Sequence, residues 1–121
     1  MSCLLGDIVD FMHNWAPVGS AQSYDNVGLQ IGRRSQEVSN ALVALDLTPQ
    51  IIQEAKGLGV ELIVTHHPLF FKALSNLTDK TLESSMALEM AENRIALFSA
   101  HTNLDAARGG VSFELARTLG L

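Results

Sequence analysis

The sequence predicts an α/β fold with a mostly parallel sheet flanked by helices, and three observations carry that prediction. Short apolar runs alternate with stretches of helical period in the order strand, helix, strand, helix, strand, helix, the pattern of a parallel sheet with crossover helices. Two of the runs, Val60 to Thr65 (VELIVT) and Ile95 to Ser99 (IALFS), are apolar at nearly every position, as strands covered on both faces are. The length of 121 residues, 47% of them hydrophobic, suits one domain over residues 1–121 with a single core.

Taken in order, Leu4, Leu5, Ile8, Val9, Phe11, Met12 and Trp15 form a helical stripe that Pro17 and Gly19 end. Val27, Leu29 and Ile31 alternate after a polar stretch, which predicts a loop entering a short strand. Asn40 to Leu47 reads as a second strand. Thr48 then supplies an N-cap and Pro49 the first helical position of a helix that Gly57 and Gly59 close. The strand VELIVT follows, then a helix over Thr81 to Asn93 with Met86 and Met90 turned to the core. The strand IALFS and a last amphipathic helix after Gly109-Gly110, VSFELARTLGL, complete the chain. Leu69, Phe70 and Phe71 are expected in the core, and no internal repeat, low-complexity tract or linker is visible.

Charge narrows the function classes. Thirteen acids against eight Lys plus Arg give a net charge of −5 with the basic residues scattered, so nucleic acid and anionic lipid, which draw on clustered positive charge, are not expected partners. Cys3 is the lone cysteine, which excludes an internal disulfide and fits a reducing compartment. It is no candidate for catalysis near a frayed terminus. The opening MSCLLGDIVDF has no positive n-region, and Asp7 and Asp10 interrupt it; with no stretch long enough to span a bilayer, a cytoplasmic protein is expected.

The chemistry is expected where two strands end. VELIVT runs into His66-His67, and IALFS runs into His101 and Asp105, so three of the four histidines and a carboxylate meet at the carboxyl edge of the sheet, where open α/β sheets bind ligands. Imidazole and carboxylate together suit divalent ions such as zinc, iron, manganese or nickel. Pro68 favours an extended His67, and neighbours in extended chain point to opposite sides. His66 and His67 are therefore expected to serve different ions of a two-metal site, with ions roughly 3.5–4 Å apart, and Asp105 to join or bridge them. His101 could be a ligand, an outer partner of a ligand or a proton carrier. His13, on the first helix, reads as a surface or boundary residue. Asp46 lies on the same edge but equally prepares the Thr48 cap. The ligand set falls short of the about five that two hydrolytic metals use, and the only later acid of interest, Glu114, sits on the last helix.

Three stretches, SYDNVGLQIG, IVTHHPLFF and SAHTNLDAARGGVSFELARTLGL, resemble in that order the dinuclear-metal proteins called GTP cyclohydrolase I type 2 homologues, or Ngg-interacting-factor-three-like proteins. The resemblance covers essentially the whole chain. It implies half of a two-half α/β fold, a two-metal site open to a central cavity, and a homo-oligomer that is a hexameric ring in full-length members. It further implies His66, His67 and Asp105 as metal ligands and His101 as a histidine beside the metals. Tyr24, Asp25 and Asn26 match a loop-shaping motif in which the family often has Trp at the position of Tyr24. Members are longer, and their second half adds a histidine and a glutamate to the site, which matches the deficit noted above. The chain is accordingly expected to be a fragment, a truncated reading frame or a half-length paralogue, with an apolar face where a second half would sit.

Two functional expectations follow. One is a metal-dependent hydrolase acting on a nucleotide or related small molecule, with two divalent ions per complete site, His101 moving the proton, and free backbone N–H groups at the start of the last helix taking an anion with Arg108 or Lys72 assisting. The other is a metal-binding regulatory or scaffold protein without turnover.

Overall fold

The computed structural model describes all residues, Met1–Leu121. The elements are β1 (Cys3–Leu4), α1 (Leu5–Trp15), β2 (Gly28–Ile31), β3 (Glu37–Val38), β4 (Ala41–Ala44), α2 (Pro49–Leu58), β5 (Leu62–Thr65), α3 (Leu82–Glu92), β6 (Ala96–Ser99), α4 (Thr102–Ala106) and α5 (Val111–Thr118). Four strands form one sheet in the order β2-β6-β5-β4. β4, β5 and β6 are parallel, and β2 closes the far edge antiparallel to β6, with Gly28 opposite Ser99. The start of β2 therefore lies beside the ends of β5 and β6.

The period of two along β5 and β6 sorts their side chains onto two faces. Ile63 and Leu97 meet Ile52 and Ala55 of α2 and Met86 and Met90 of α3. Leu62, Ala96 and Phe98 face the other way, against Leu5 and Val9 of α1. Phe98, Leu97, Ile63, Leu62, Ile52 and Leu5 are fully buried, and each such side chain contributes about 1.5–3 kcal/mol relative to exposure. α1 covers only part of its face. Val43 on β4, in register with Val64, is 77% exposed and Leu45 63% exposed, and α5 buries none of its side chains. An apolar face is thus open to solvent, as expected from the sequence.

The small pairing of β1 with β3 was not visible in the sequence. It leads directly into α1, whose cap residue Leu4 offers no side-chain acceptor. The amides of Leu5 and Gly6 donate instead to the carbonyls of Gln36 and Arg34, so a neighbouring loop satisfies the orphan donors of the helix. At α2 the expectation holds in detail: Thr48 accepts from the Ile51 amide and Pro49 opens the helix.

α2 and α3 end in the same way. In α2, Val60 N donates to Ala55 O and Gly59 N to Lys56 O; in α3, Ile95 N donates to Met90 O and Arg94 N to Ala91 O. This paired closure places one residue in the left-handed region, for which glycine is favoured. Gly59 has φ 65° and Arg94 φ 57°, the one non-glycine residue at positive φ. Relief of the Cβ conflict, partly offset by a more flexible unfolded chain, should make Arg94→Gly about 0.5–1 kcal/mol more stable. Urea denaturation at neutral pH measures this, and an unchanged or lower stability would mean that the arginine side chain contributes more than its backbone strain costs. No helix is long and apolar enough to cross a membrane.

Candidate metal centre

The loops at the ends of β4, β5 and β6 and the loop before β2 converge on one edge of the sheet. β5 and β6 finish in register at Thr65 and Ser99, both fully buried. Their hydroxyls lie 2.8 Å apart, and Thr65 Oγ1 also lies 2.8 Å from His67 O. Because a carbonyl can only accept, Thr65 donates to His67 and Ser99 donates to Thr65. This pair ties the two strand ends together and fixes the start of the histidine turn.

The chain bends at His66 and His67 instead of continuing extended. Both amides donate to Leu45 O at 3.2 Å, which draws the two residues to one side. The expected divergence of the two rings does not occur: their centroids are 5.1 Å apart. His101 closes the triangle, with its ring 5.1 Å from His66 and 5.3 Å from His67. One ligand atom from each of the three histidines lies within 4.8 Å of the others.

Each ring is oriented from behind. His66 Nδ1 lies 2.9 Å from Ala100 O, His67 Nδ1 lies 2.6 Å from Asp46 Oδ1, and His101 Nδ1 lies 3.0–3.1 Å from the Asp25 carboxylate oxygens. A carbonyl or an ionised carboxylate accepts only, so Nδ1 carries the proton in all three and Nε2 remains as the free donor atom. Holding metal-ligating imidazoles this way is the usual outer arrangement of a metal site. Asp105, on α4, brings Oδ1 to 3.7 Å from His66 Nε2. The donor set fits a divalent ion, and the four expected site residues His66, His67, His101 and Asp105 are brought to one place.

Asp25 is the member whose weight the sequence did not convey. Its carboxylate has no accessible surface and accepts from the amide of Asn26 (2.8 Å), the amide of Thr102 (3.0 Å), the Thr102 hydroxyl and His101 Nδ1. Burial alone would raise its pKa, but the hydrogen bonds from the Thr102 side chain, His101, and the Thr102 and Asn26 amides outweigh it and hold the carboxyl below its ordinary value. Asp46, read as equally a preparation for the Thr48 cap, accepts from His67. Buried Asn103 was also missed: its Oδ1 accepts from the His101 amide and its Nδ2 donates to Ala16 O, fastening the His101 turn to the end of α1. His13 is half-buried as a boundary residue, stands apart from the cluster against Phe98, and its Nε2 has no hydrogen-bond partner.

Phe71 corrects the expectation of a core residue. Leu69 and Phe70 are partly buried, but Phe71 is 51% exposed, with its ring 5.8 Å from that of His101 and nearly perpendicular to it. A cavity of about 580 Å³ lies at the opposite edge of the sheet, lined by Lys56, Glu61 and Arg94 among others. It contains no histidine.

With this geometry in view, the family described as Duf34/NIF3 (NGG1p interacting factor 3) matches residues 3–121 by its sequence model. The chain belongs to the Duf34/NIF3 family. It is 43% identical over 116 residues to a GTP cyclohydrolase 1 type 2 homolog of Clostridium perfringens, covering 96% of this chain and 44% of that protein. A GTP cyclohydrolase 1 type 2 homolog of Lactococcus lactis is 39% identical over 117 residues, covering 94% and 46%. Among solved structures, a Bacillus cereus protein related to NIF3 superimposes with a TM-score of 0.90 at 36% identity, over 98% of this chain and 33% of its own. Reduced HcgD from Methanocaldococcus jannaschii gives a TM-score of 0.90 at 34% identity, over 100% and 48%. This Duf34/NIF3 chain thus spans less than half the length of these curated relatives, and its α/β fold corresponds to a third to a half of the solved chains.

Proposed function

We propose that the histidine edge is a divalent-metal centre with which the protein hydrolyses a nucleotide or a related small molecule. The reading is carried by one observation: three imidazoles within reach of one another each have Nδ1 engaged by a fixed oxygen, which leaves each Nε2 free for a metal or a proton. His66, His67 and Asp105 would hold the metal, and iron, zinc, manganese and nickel all accept such donors. When bound, divalent ions supply Lewis acidity and bring the pKa of water towards neutrality. Asp25 keeps His101 in one tautomer and orientation, so that His101 Nε2 can take up and return a proton. Asp46 does the same orienting work for His67.

The curated relatives are named for GTP cyclohydrolase 1 type 2, which makes GTP the first substrate to test. Metal content per chain is measured on wild type, on His66→Ala/His67→Ala and on His101→Ala, purified without chelators. One to two divalent ions in wild type, lost in the double variant, are expected. In His101→Ala the metal is expected to stay while release of formate or phosphate from GTP stops. An empty wild type overturns the metal reading for this chain, and loaded protein without turnover favours a metal-binding scaffold. Self-association through the open apolar face, as part of a ring, and a cytoplasmic setting belong to the same proposal.

A further inference from the structure

We infer that Phe71 is a stacking platform for a planar heterocycle, so that the histidine edge takes a ligand with a conjugated base or base-like ring. This rests on the reading of that edge as a ligand site. Three observations carry it.

First, the loop after His67 buries Pro68 and half-buries Leu69 and Phe70 yet leaves Phe71 half in water. Phe71 belongs to neither core cluster. Its place is beside His101. Second, the loop is fixed. Asn26 Nδ2 donates to Phe70 O at 2.6 Å and Phe70 N donates to Gln30 Oε1 at 3.3 Å, while Gln30 Nε2 is held by Asn26 O. The motif before β2 therefore sets the position of Phe71 before any ligand arrives, which lowers the ordering cost of binding. Third, a phenyl ring can neither ligate nor hydrogen-bond. Next to three imidazoles it adds only a π-face and apolar area, which select a flat conjugated ring over a sugar or an aliphatic chain. Lys72 follows at once and takes part in no ion pair, which leaves its ammonium available to a phosphate on the same ligand.

The test needs no turnover. Binding of guanosine 5′-monophosphate and of ribose 5-phosphate is measured by calorimetry on wild type, Phe71→Ala, Phe71→Leu and Phe71→Trp, with metal content determined on the same samples. Removing the ring should weaken the nucleotide about 10-fold and leave ribose 5-phosphate unchanged. Phe71→Leu should behave like Phe71→Ala, Phe71→Trp should bind at least as tightly as wild type, and the upfield shift of the guanine proton in the wild-type complex should vanish in Phe71→Ala. Equal nucleotide affinity in wild type and Phe71→Ala, equal losses for both ligands, or no preference for the nucleotide in wild type would overturn the inference. A protein without metal that still binds the nucleotide through Phe71 would separate the two proposals, since stacking would stand and the metal reading would fall.

Discussion

Asp25→Ala is expected to cost the fold about 3 kcal/mol, because it removes a fully covered carboxylate and strands part-buried donors that have no other acceptor. Four groups point at this carboxylate: two amides, the Thr102 hydroxyl and His101 Nδ1. Together they join the loop before β2 to the loop after β6. Asp25→Asn keeps the shape but sets an amide NH₂ against donors, so it should lose a large part of the same stability. The pH dependence follows from the direction of the shift. Asp25 is held below its ordinary value of 3.8 in the fold. Its contribution is therefore fully present above that value and is lost as pH falls through the lower folded value. Urea denaturation between pH 7 and 3 should show a smaller loss for Asp25→Asn than for wild type over the acid end. Under the proposed metal reading the same variant should also bind metal about 10–100-fold more weakly. Wild-type stability and wild-type metal affinity in Asp25→Ala would show that the loop is held by other contacts.

The histidines were legible because of where they stand. Adjacent imidazoles where an apolar strand stops, and a third after the next such strand, are readable without coordinates once the strands are taken as parallel. Their orientation was not. The extended alternation expected of His66 and His67 gives way because both amides turn to Leu45 O, a contact from the residue after β4 that no local pattern announces. The histidine-orienting roles of Asp25 and Asp46 were hidden for a related reason. Each lies far in sequence from the histidine it orients, 76 residues for Asp25 and 21 for Asp46, so only the sheet order brings them together. The strand alternation, the Thr48-Pro49 start and the methionines of α3 were visible because each is set by local spacing. The β1 and β3 pair is two residues long on each side, too short for a period to show. The antiparallel entry of β2 depends on a loop path, not on composition.

Gly110→Ala is the second change expected to have a large effect, and the residue before it supplies the control. A Cβ at Gly110 would lie 1.9 Å from Leu104 O and 2.9 Å from Ala107 O. Both are backbone atoms and cannot rotate away. Gly110 has φ −83°, which alanine adopts freely, so the whole cost comes from the close approach of α4 to the start of α5. Such overpacking against main chain should reach about 3 kcal/mol. Gly109 presents the opposite case. It has φ 74° and open space around its missing Cβ, so Gly109→Ala should lose only the left-handed penalty of about 1–2 kcal/mol. The two variants also differ at the site. Gly110→Ala must push against the carbonyl of Leu104, and Asp105 is the next residue on the same turn, with Oδ1 3.7 Å from His66 Nε2. Its His66 ring resonances should move and, under the proposed metal reading, its metal affinity should fall, while those of Gly109→Ala stay near wild type. Equal stabilities for the two variants, or an unmoved His66 in Gly110→Ala, would mean that α4 and α5 do not pack as closely as the contact requires and that Asp105 is held by something other than this turn.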